Sequence, residues 1–354
     1  MALYEPGMGY YQAGSAKIGE AGDFITAPET GSLFASCLAG QCAEILHRCL
    51  PGDRIIVEFG AGSGRLALDL LDELEKCDAL PDRYLVVETS PDLAKIQRQR
   101  FAAEDRFRDL VHWSEDLPES ITGVVIGNEL LDALPVIRFE VGDDGTVSEL
   151  GVVVGEGGEF RWQTSPMPLD PNRHKALIER LGDVSKLSGY RSEAGLQGEA
   201  WVREVAGRLK QGAIILADYG FPESEYYHPD RRDGTLMCHF QHTVHPDPFR
   251  YPGSQDITAH VDFSAVARAG SSAGMTVAGF ATQGQFLLAL DLLDLYQAAI
   301  EACGIGADTL VLSGEIKKLT LPHEMGELFK VLVLTREIDP ALRGFSRQNM
   351  AGRL

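Results

Sequence analysis

The stretch Ile55-Ile56-Val57-Glu58-Phe59 runs directly into Gly60-Ala61-Gly62-Ser63-Gly64, and leucines then recur at 66, 68, 70, 71 and 74. A β-branched run, a glycine-dense turn and a helical apolar period in that order specify strand, tight turn and helix. The next apolar run, Tyr84 to Val87, ends at Glu88, and Ser90-Pro91-Asp92 opens a second helix with proline where its missing N–H costs nothing. Further strands are expected at Leu110–Trp113, Gly123–Gly127, Ala213–Ala217, Met275–Ala281 and Phe329–Leu334. Apolar runs separated by helical patterns describe a parallel sheet buried on both faces. The last strand is expected to close that sheet antiparallel, in hairpin fashion.

Two segments break the pattern. From Val136 to Trp162 the residues alternate around the turn pairs Asp144-Gly145 and Gly157-Gly158, the mark of an inserted antiparallel meander. From about Pro222 to Gly253 the chain is rich in His, Pro, Asp and aromatics, with little helical period. Long irregular insertions in compact enzymes usually cover a site. The expected division is therefore an N-terminal lid and helix (1–50), the first part of the core (51–135), an inserted antiparallel and helical subdomain (136–200), a fifth core strand (201–220), an irregular lid (221–258) and the remainder of the core (259–354).

Charge narrows the function classes. The 354 residues carry 32 Lys and Arg against 52 Asp and Glu, a net charge of −20, the wrong sign for a phosphate-binding nucleic-acid protein. The six cysteines form no C-x-x-C pair and point to a reducing compartment. No signal, transit or membrane-spanning segment is evident, since Asp291 and Asp294 interrupt the most apolar stretch. Cys238, His239, His242 and His245 lie close together, but their spacing matches no common metal-ligand pattern, so no metal is expected.

The glycine turn invites two readings. A dinucleotide-binding G-x-G-x-x-G counted from Gly60 needs a small residue at 65, where this chain has Arg65. The observed form, with acidic Glu58 followed by Gly60, Gly62 and Gly64, resembles the first motif of class I S-adenosylmethionine-dependent methyltransferases. In those, the turn approaches the methionine part of the cofactor, which a missing β-carbon permits. Glu88 ends the following strand, where a carboxylate accepts hydrogen bonds from both ribose hydroxyls. Asp116, with Leu117 beside it, follows the third strand at a place suited to the adenine amino group. Dinucleotide binding and an inert structural turn remain as alternatives.

Beyond the fourth strand lies Asn128-Glu129-Leu130-Leu131-Asp132-Ala133-Leu134-Pro135. Ligands of open parallel sheets bind past the carboxyl ends of the strands. The Asn/Asp-Pro-Pro-aromatic string of amide and exocyclic-amine methylases is absent. Two carboxylates, Glu129 and Asp132, suit a guanidinium, which they hold by bidentate hydrogen bonds while polarising its nitrogen.

Longer strings carry a more specific resemblance: Ala2-Leu3-Tyr4 with Gly9-Tyr10-Tyr11, Gly22 to Glu29, Glu58 to Gly64, Asn128 to Pro135, Asp218-Tyr219-Gly220, Gly234-Thr235-Leu236, Asp256 to Phe263, and Met325 to Lys330. Together they resemble the mitochondrial dysfunction protein A and respiratory complex I assembly-factor methyltransferases. The resemblance implies a class I methyltransferase α/β fold, mostly parallel with a C-terminal antiparallel strand plus inserted meander and lid segments. It also implies S-adenosylmethionine as methyl donor and, for the mitochondrial members, a protein arginine on a respiratory-complex subunit as acceptor. Family members usually carry a helical segment before the Leu-Tyr string, where this chain begins.

On that basis the segment Asp23-Phe24-Ile25-Thr26-Ala27-Pro28-Glu29 is expected to fold over the sheet edge. Thr26 and Pro28, with Asn128, would face the cofactor; Asp23, Phe24, Glu29 and Asp256 would face the acceptor. Thr258 is the expected N-cap of the helix that follows, and His260 a proton acceptor or an orienting group for a carboxylate. The expected location is a bacterial-type cytoplasm, or the mitochondrial matrix for a processed eukaryotic member. A small-molecule N- or O-methyltransferase and a cofactor-binding assembly chaperone are the alternatives.

Overall fold

The apolar runs become β1 (Ile55–Phe59), β2 (Arg83–Val87), β3 (Val111–Ser114) and β4 (Ile121–Asn128), paired in parallel in the order β3-β2-β1-β4. The computed structural model describes residues 1–12, 27–165, 169–303 and 306–354. All five residues of β1 are buried, as a strand covered on both faces requires. One face is covered by helices α1 (Ala27–Thr30), α2 (Leu33–Arg48) and α3 (Arg65–Lys76), with α4 (Pro91–Ala102) following β2. Within α2, Cys37 and Cys42 are buried as small apolar residues, and Cys49 is buried just past its end.

The meander is present as β5 (Ile137–Val141), β6 (Val147–Val154) and β7 (Phe160–Thr164), antiparallel throughout and joined on the β5 side by β8 (Arg191–Ala194). Helices α5 (Pro171–Leu181) and α6 (Leu196–Arg208) lead back to β9 (Leu209–Phe221), which pairs in parallel with β4. β9 is 13 residues long, far beyond the Ala213–Ala217 run. Its polar end, Asp218-Tyr219-Gly220, carries no apolar signal yet stays in the ladder.

The second insertion holds more order than its composition suggests. β10 (Met237–Phe240), β11 (Thr243–His245) and β12 (Asp256–Thr258) form a small antiparallel sheet. Thr258 is therefore a strand residue and not a cap. The helix begins later, at Phe263–Ser272, after β13 (Val261–Asp262), and Asp262 caps it by accepting the Ala265 N–H at 3.0 Å.

β14 (Thr276–Thr282) and β15 (Phe329–Arg336) complete the main sheet, with β15 antiparallel to both neighbours in the order β14-β15-β9-β4-β1-β2-β3. The last strand thus inserts between β14 and β9, closing the sheet antiparallel as its position suggested. The carboxyl ends of β1, β2, β4 and β9 lie side by side, and the site is there. Among the described residues no helix is long and apolar enough to cross a membrane.

Candidate active site

A cleft of about 660 Å³ opens over those strand ends, a volume typical of small-ligand sites. Its floor is the glycine turn. Gly60, Gly62 and Gly64 all have positive φ (65°, 54° and 77°), the left-handed region that side chains disfavour. Gly60 and Gly62 line the cleft, whereas Gly64 begins α3 behind it. Glu58 also reaches the wall, almost fully buried, accepting a 2.8 Å hydrogen bond from the Tyr84 hydroxyl. Burial pushes its carboxyl up to about 7, against the pull of that hydrogen bond.

Glu88 stands at the end of β2 in the same wall. It accepts from the Ser90 N–H at 2.8 Å and from Gln97 Nε2 at 3.0 Å. Burial raises its pKa, and these bonds counter the rise. Asp116 and Leu117 border the cleft beyond β3; Asp116 is exposed and its N–H bonds to Ser114 Oγ at 3.0 Å. Phe59 and Trp201 meet edge to face at 4.9 Å and give this end an apolar wall.

At the other end β4 stops abruptly. Glu129 has φ 50°, strained for a side chain of this type, and its N–H still joins the β9 ladder through the Ala217 carbonyl at 2.9 Å. Its Oε1 accepts from the Ala27 N–H (3.3 Å) and from Asn128 Nδ2 (3.2 Å). Burial, then the Asp132 and Asp256 charges, raise its pKa to about 8. Asp218, on β9, accepts from the N–H groups of Leu131 (2.8 Å), Asp132 (3.3 Å) and Tyr219 (2.8 Å), so it shapes the turn after β4. Even with three donors, burial and Glu129 push it up to about 8. Asp132 is raised well above its ordinary value by burial, Asp218 and Asp256. Among the described residues, Glu129, Asp132 and Asp218 have no basic partner within ion-pair distance.

The sequence-marked residues thus separate into two sets. Glu58, Gly60, Gly62, Glu88, Asp116, Leu117, Asn128, Pro28, Glu29 and Glu129 all line the cleft. Asp132 and Asp256 are buried behind its acceptor end, Asp256 taking the Tyr11 hydroxyl at 2.8 Å. Glu29, expected beside the acceptor, instead accepts a hydrogen bond from Ser63 in the glycine turn. His260 is not in the wall. Its ring lies flat on Phe221 (5.3 Å, 7°), and burial, with Arg231 and Lys330 nearby, lowers its pKa to about 4, making it a far weaker base than Glu129. Asp23, Phe24 and Thr26 lie outside the described residues.

Four contributors were not singled out as site residues. Tyr4 and Tyr11 stack at 5.3 Å in the cleft wall, Asp218 orders the turn after β4, and Gln97 holds Glu88. The signals were present: a polar residue in the buried stripe Ala94, Gln97, Phe101 of α4, and an acid at the end of the strand beside β4.

The cleft fits an adenosylated amino acid on its own chemistry. Glu88 offers a carboxylate for a diol, and Asn128 Oδ1 is a buried acceptor without a donor among the described residues, suited to an α-ammonium group. Residues 37–281 match the family model described as "Putative S-adenosyl-L-methionine-dependent methyltransferase". The mitochondrial protein arginine methyltransferase NDUFAF7 homolog of Drosophila melanogaster is 30% identical over 369 residues, covering 94% of this chain and 79% of that protein. Its Xenopus tropicalis counterpart is 26% identical over 389 residues, 98% of this chain and 84% of that one. A Burkholderia thailandensis crystal structure with S-adenosyl-homocysteine bound superposes with a TM-score of 0.92 at 40% identity, covering 100% of this chain and 90% of that one. This chain therefore belongs to the S-adenosyl-L-methionine-dependent methyltransferase family, with S-adenosylmethionine as its cofactor.

Proposed function

We propose that the acceptor is an arginine side chain on a protein, which makes this chain a protein arginine N-methyltransferase. The observation that carries the proposal is a cluster of carboxylates at one end of the cofactor cleft, half-buried Glu129 in its wall with buried Asp132 and Asp218, gathered without a basic partner among the described residues. Burying several acids without a cation is costly, and a guanidinium supplies the missing charge together with a donor fork that matches a carboxylate. The names of the relatives from Drosophila and Xenopus support the same acceptor.

S-adenosylmethionine supplies an electrophilic methyl group on a sulfonium. Glu88 and the Gly60–Gly62 backbone would hold it, and Asn128 Oδ1 would be available to its amino group. Glu129 would bind the acceptor guanidinium, orient one nitrogen toward the methyl-donor end and take the proton that this nitrogen sheds as the N–C bond forms and the S–CH3 bond breaks, its electron pair staying on sulfur in the departing S-adenosyl-homocysteine. Burial raises the Glu129 pKa to about 8, and a guanidinium beside it would favour the carboxylate, the form that accepts a proton. Asp218 orders the turn that carries Asp132 by accepting backbone N–H bonds, and the Tyr4–Tyr11 pair, with Leu130 and Leu134, shields the reacting end from water. All six cysteines are free, in keeping with a reducing compartment such as a bacterial cytoplasm.

The test is to add the protein and methyl-labelled cofactor to a lysate lacking the endogenous enzyme, hydrolyse the labelled protein and identify the labelled residue. Methylarginine is the expected product. Label on lysine, on glutamine or in a metabolite overturns the arginine acceptor, and absence of label favours a cofactor-binding assembly role.

A further inference from the structure

We propose that Gln97 is a positioning residue that locks the two halves of the cofactor cleft together and so sets cofactor affinity through Glu88. Gln97 belongs to α4 and is completely buried, and three of its four possible hydrogen bonds are made within the protein. Its Nε2 donates both to the Gly62 carbonyl and to Glu88 Oε2, each at 3.0 Å, and its Oε1 accepts from Trp113 Nε1 at 3.1 Å. One amide thereby joins the glycine turn after β1, the carboxylate ending β2 and a side chain of β3. Because Nε2 occupies Oε2 of Glu88 and the Ser90 N–H occupies Oε1, the carboxylate has a fixed plane before any diol arrives.

This arrangement also explains the third glycine of the turn. Gly64 does not line the cleft; a β-carbon there would stand 3.3 Å from Gln97 Cγ and 3.5 Å from its Cα, and φ is 77°. The glycine makes room for Gln97 to reach Gly62 and Glu88. The residue acts through Glu88 and touches no reacting atom.

The experiment is titration calorimetry of S-adenosyl-homocysteine against wild type, Gln97→Leu and Gln97→Glu across pH 5.5 to 8. Gln97→Leu removes the donor, and its Kd is expected to rise ten- to a hundredfold. In Gln97→Glu at pH 8 two carboxylates abut and repel; on acidification they share a proton, restoring a donor toward Glu88. Its affinity relative to wild type is therefore expected to recover at least fivefold between pH 8 and 5.5, a trend that loss of packing does not produce. Should Gln97→Leu fail to fold, the Gln97→Glu series decides alone. Wild-type affinity in Gln97→Leu, or a pH-independent ratio of the Gln97→Glu and wild-type Kd values, overturns the proposal.

Discussion

The two ends of the cleft solve opposite problems. At the cofactor end the carboxylate for the ribose is already held: Glu88 accepts two protein donors, Gln97 bridges three partners, backbone shape at Gly60 and Gly62 aids recognition, and Asn128 Oδ1 is left open among the described residues. At the acceptor end, half-buried Glu129 lies with buried Asp132 and Asp218, and burial, then repulsion between neighbouring acids, drives their carboxyls up in pKa, with no cation beside them among the described residues. A preorganised end binds its ligand with little rearrangement. An electrostatically frustrated end is completed by its ligand, and binding there is linked to protons. The chain's −20 charge agrees with that picture, since a negative field draws basic segments toward the site and salt weakens the attraction.

The sharpest way to separate the two ends is Glu129→Gln. Methyl transfer is expected to fall by about 10²-fold or more, the usual scale for losing a positioned base, while S-adenosyl-homocysteine affinity stays within about twofold. A matching loss of cofactor affinity would merge the two ends into one. Glu88→Ala should do the reverse, weakening cofactor binding by roughly 1–3 kcal/mol in calorimetry, the cost of lost hydrogen bonds to a charged group. Gly64→Ala is a smaller perturbation: strain at positive φ and the close approach to Gln97 should cost about 1–2 kcal/mol in denaturant unfolding.

The acceptor end also predicts a pH dependence of stability. In the folded protein Glu129 and Asp218 hold protons up to about pH 8, whereas the unfolded chain releases them near the ordinary values of 4.5 and 3.8. Folding then binds protons, so stability is full below the unfolded values and declines as pH rises through about 8. The Tm of ligand-free protein should fall steadily from pH 5 to pH 8.5, and less so in Glu129→Gln. A flat profile would mean that the cluster is already compensated.

Most of the sheet was legible because strands buried on both faces must be continuously apolar, as at Ile55–Val57 and Val124–Ile126. What stayed hidden was polar strand. Asp218-Tyr219-Gly220 continues β9, and Asp256-Ile257-Thr258 pairs with β10, so ladder hydrogen bonds overrode composition and moved the helix start from Thr258 to the Asp262 cap. In the site, Glu88 and Glu129 were readable because each ends a strand at the edge where ligands bind. Asp218 and Gln97 carried only weak local signals, a strand-end acid and a polar residue in an apolar helix stripe, because the partners that define them include Leu131 and Gly62, 87 and 35 residues away. His260 illustrates the converse: its chemistry attracted attention, but stacking on Phe221 and burial among cations make it a weak base outside the cleft wall.

The most direct measurement is proton release on ligand binding, from calorimetry at pH 7 in two buffers of different ionisation enthalpy. S-adenosyl-homocysteine should bind with little net proton exchange. An arginine peptide added to the S-adenosyl-homocysteine complex should release about one proton, as a guanidinium ionises carboxyls that hold protons up to about pH 8. Arginine-peptide binding with no release, or with uptake, would contradict a cation-completed acceptor site.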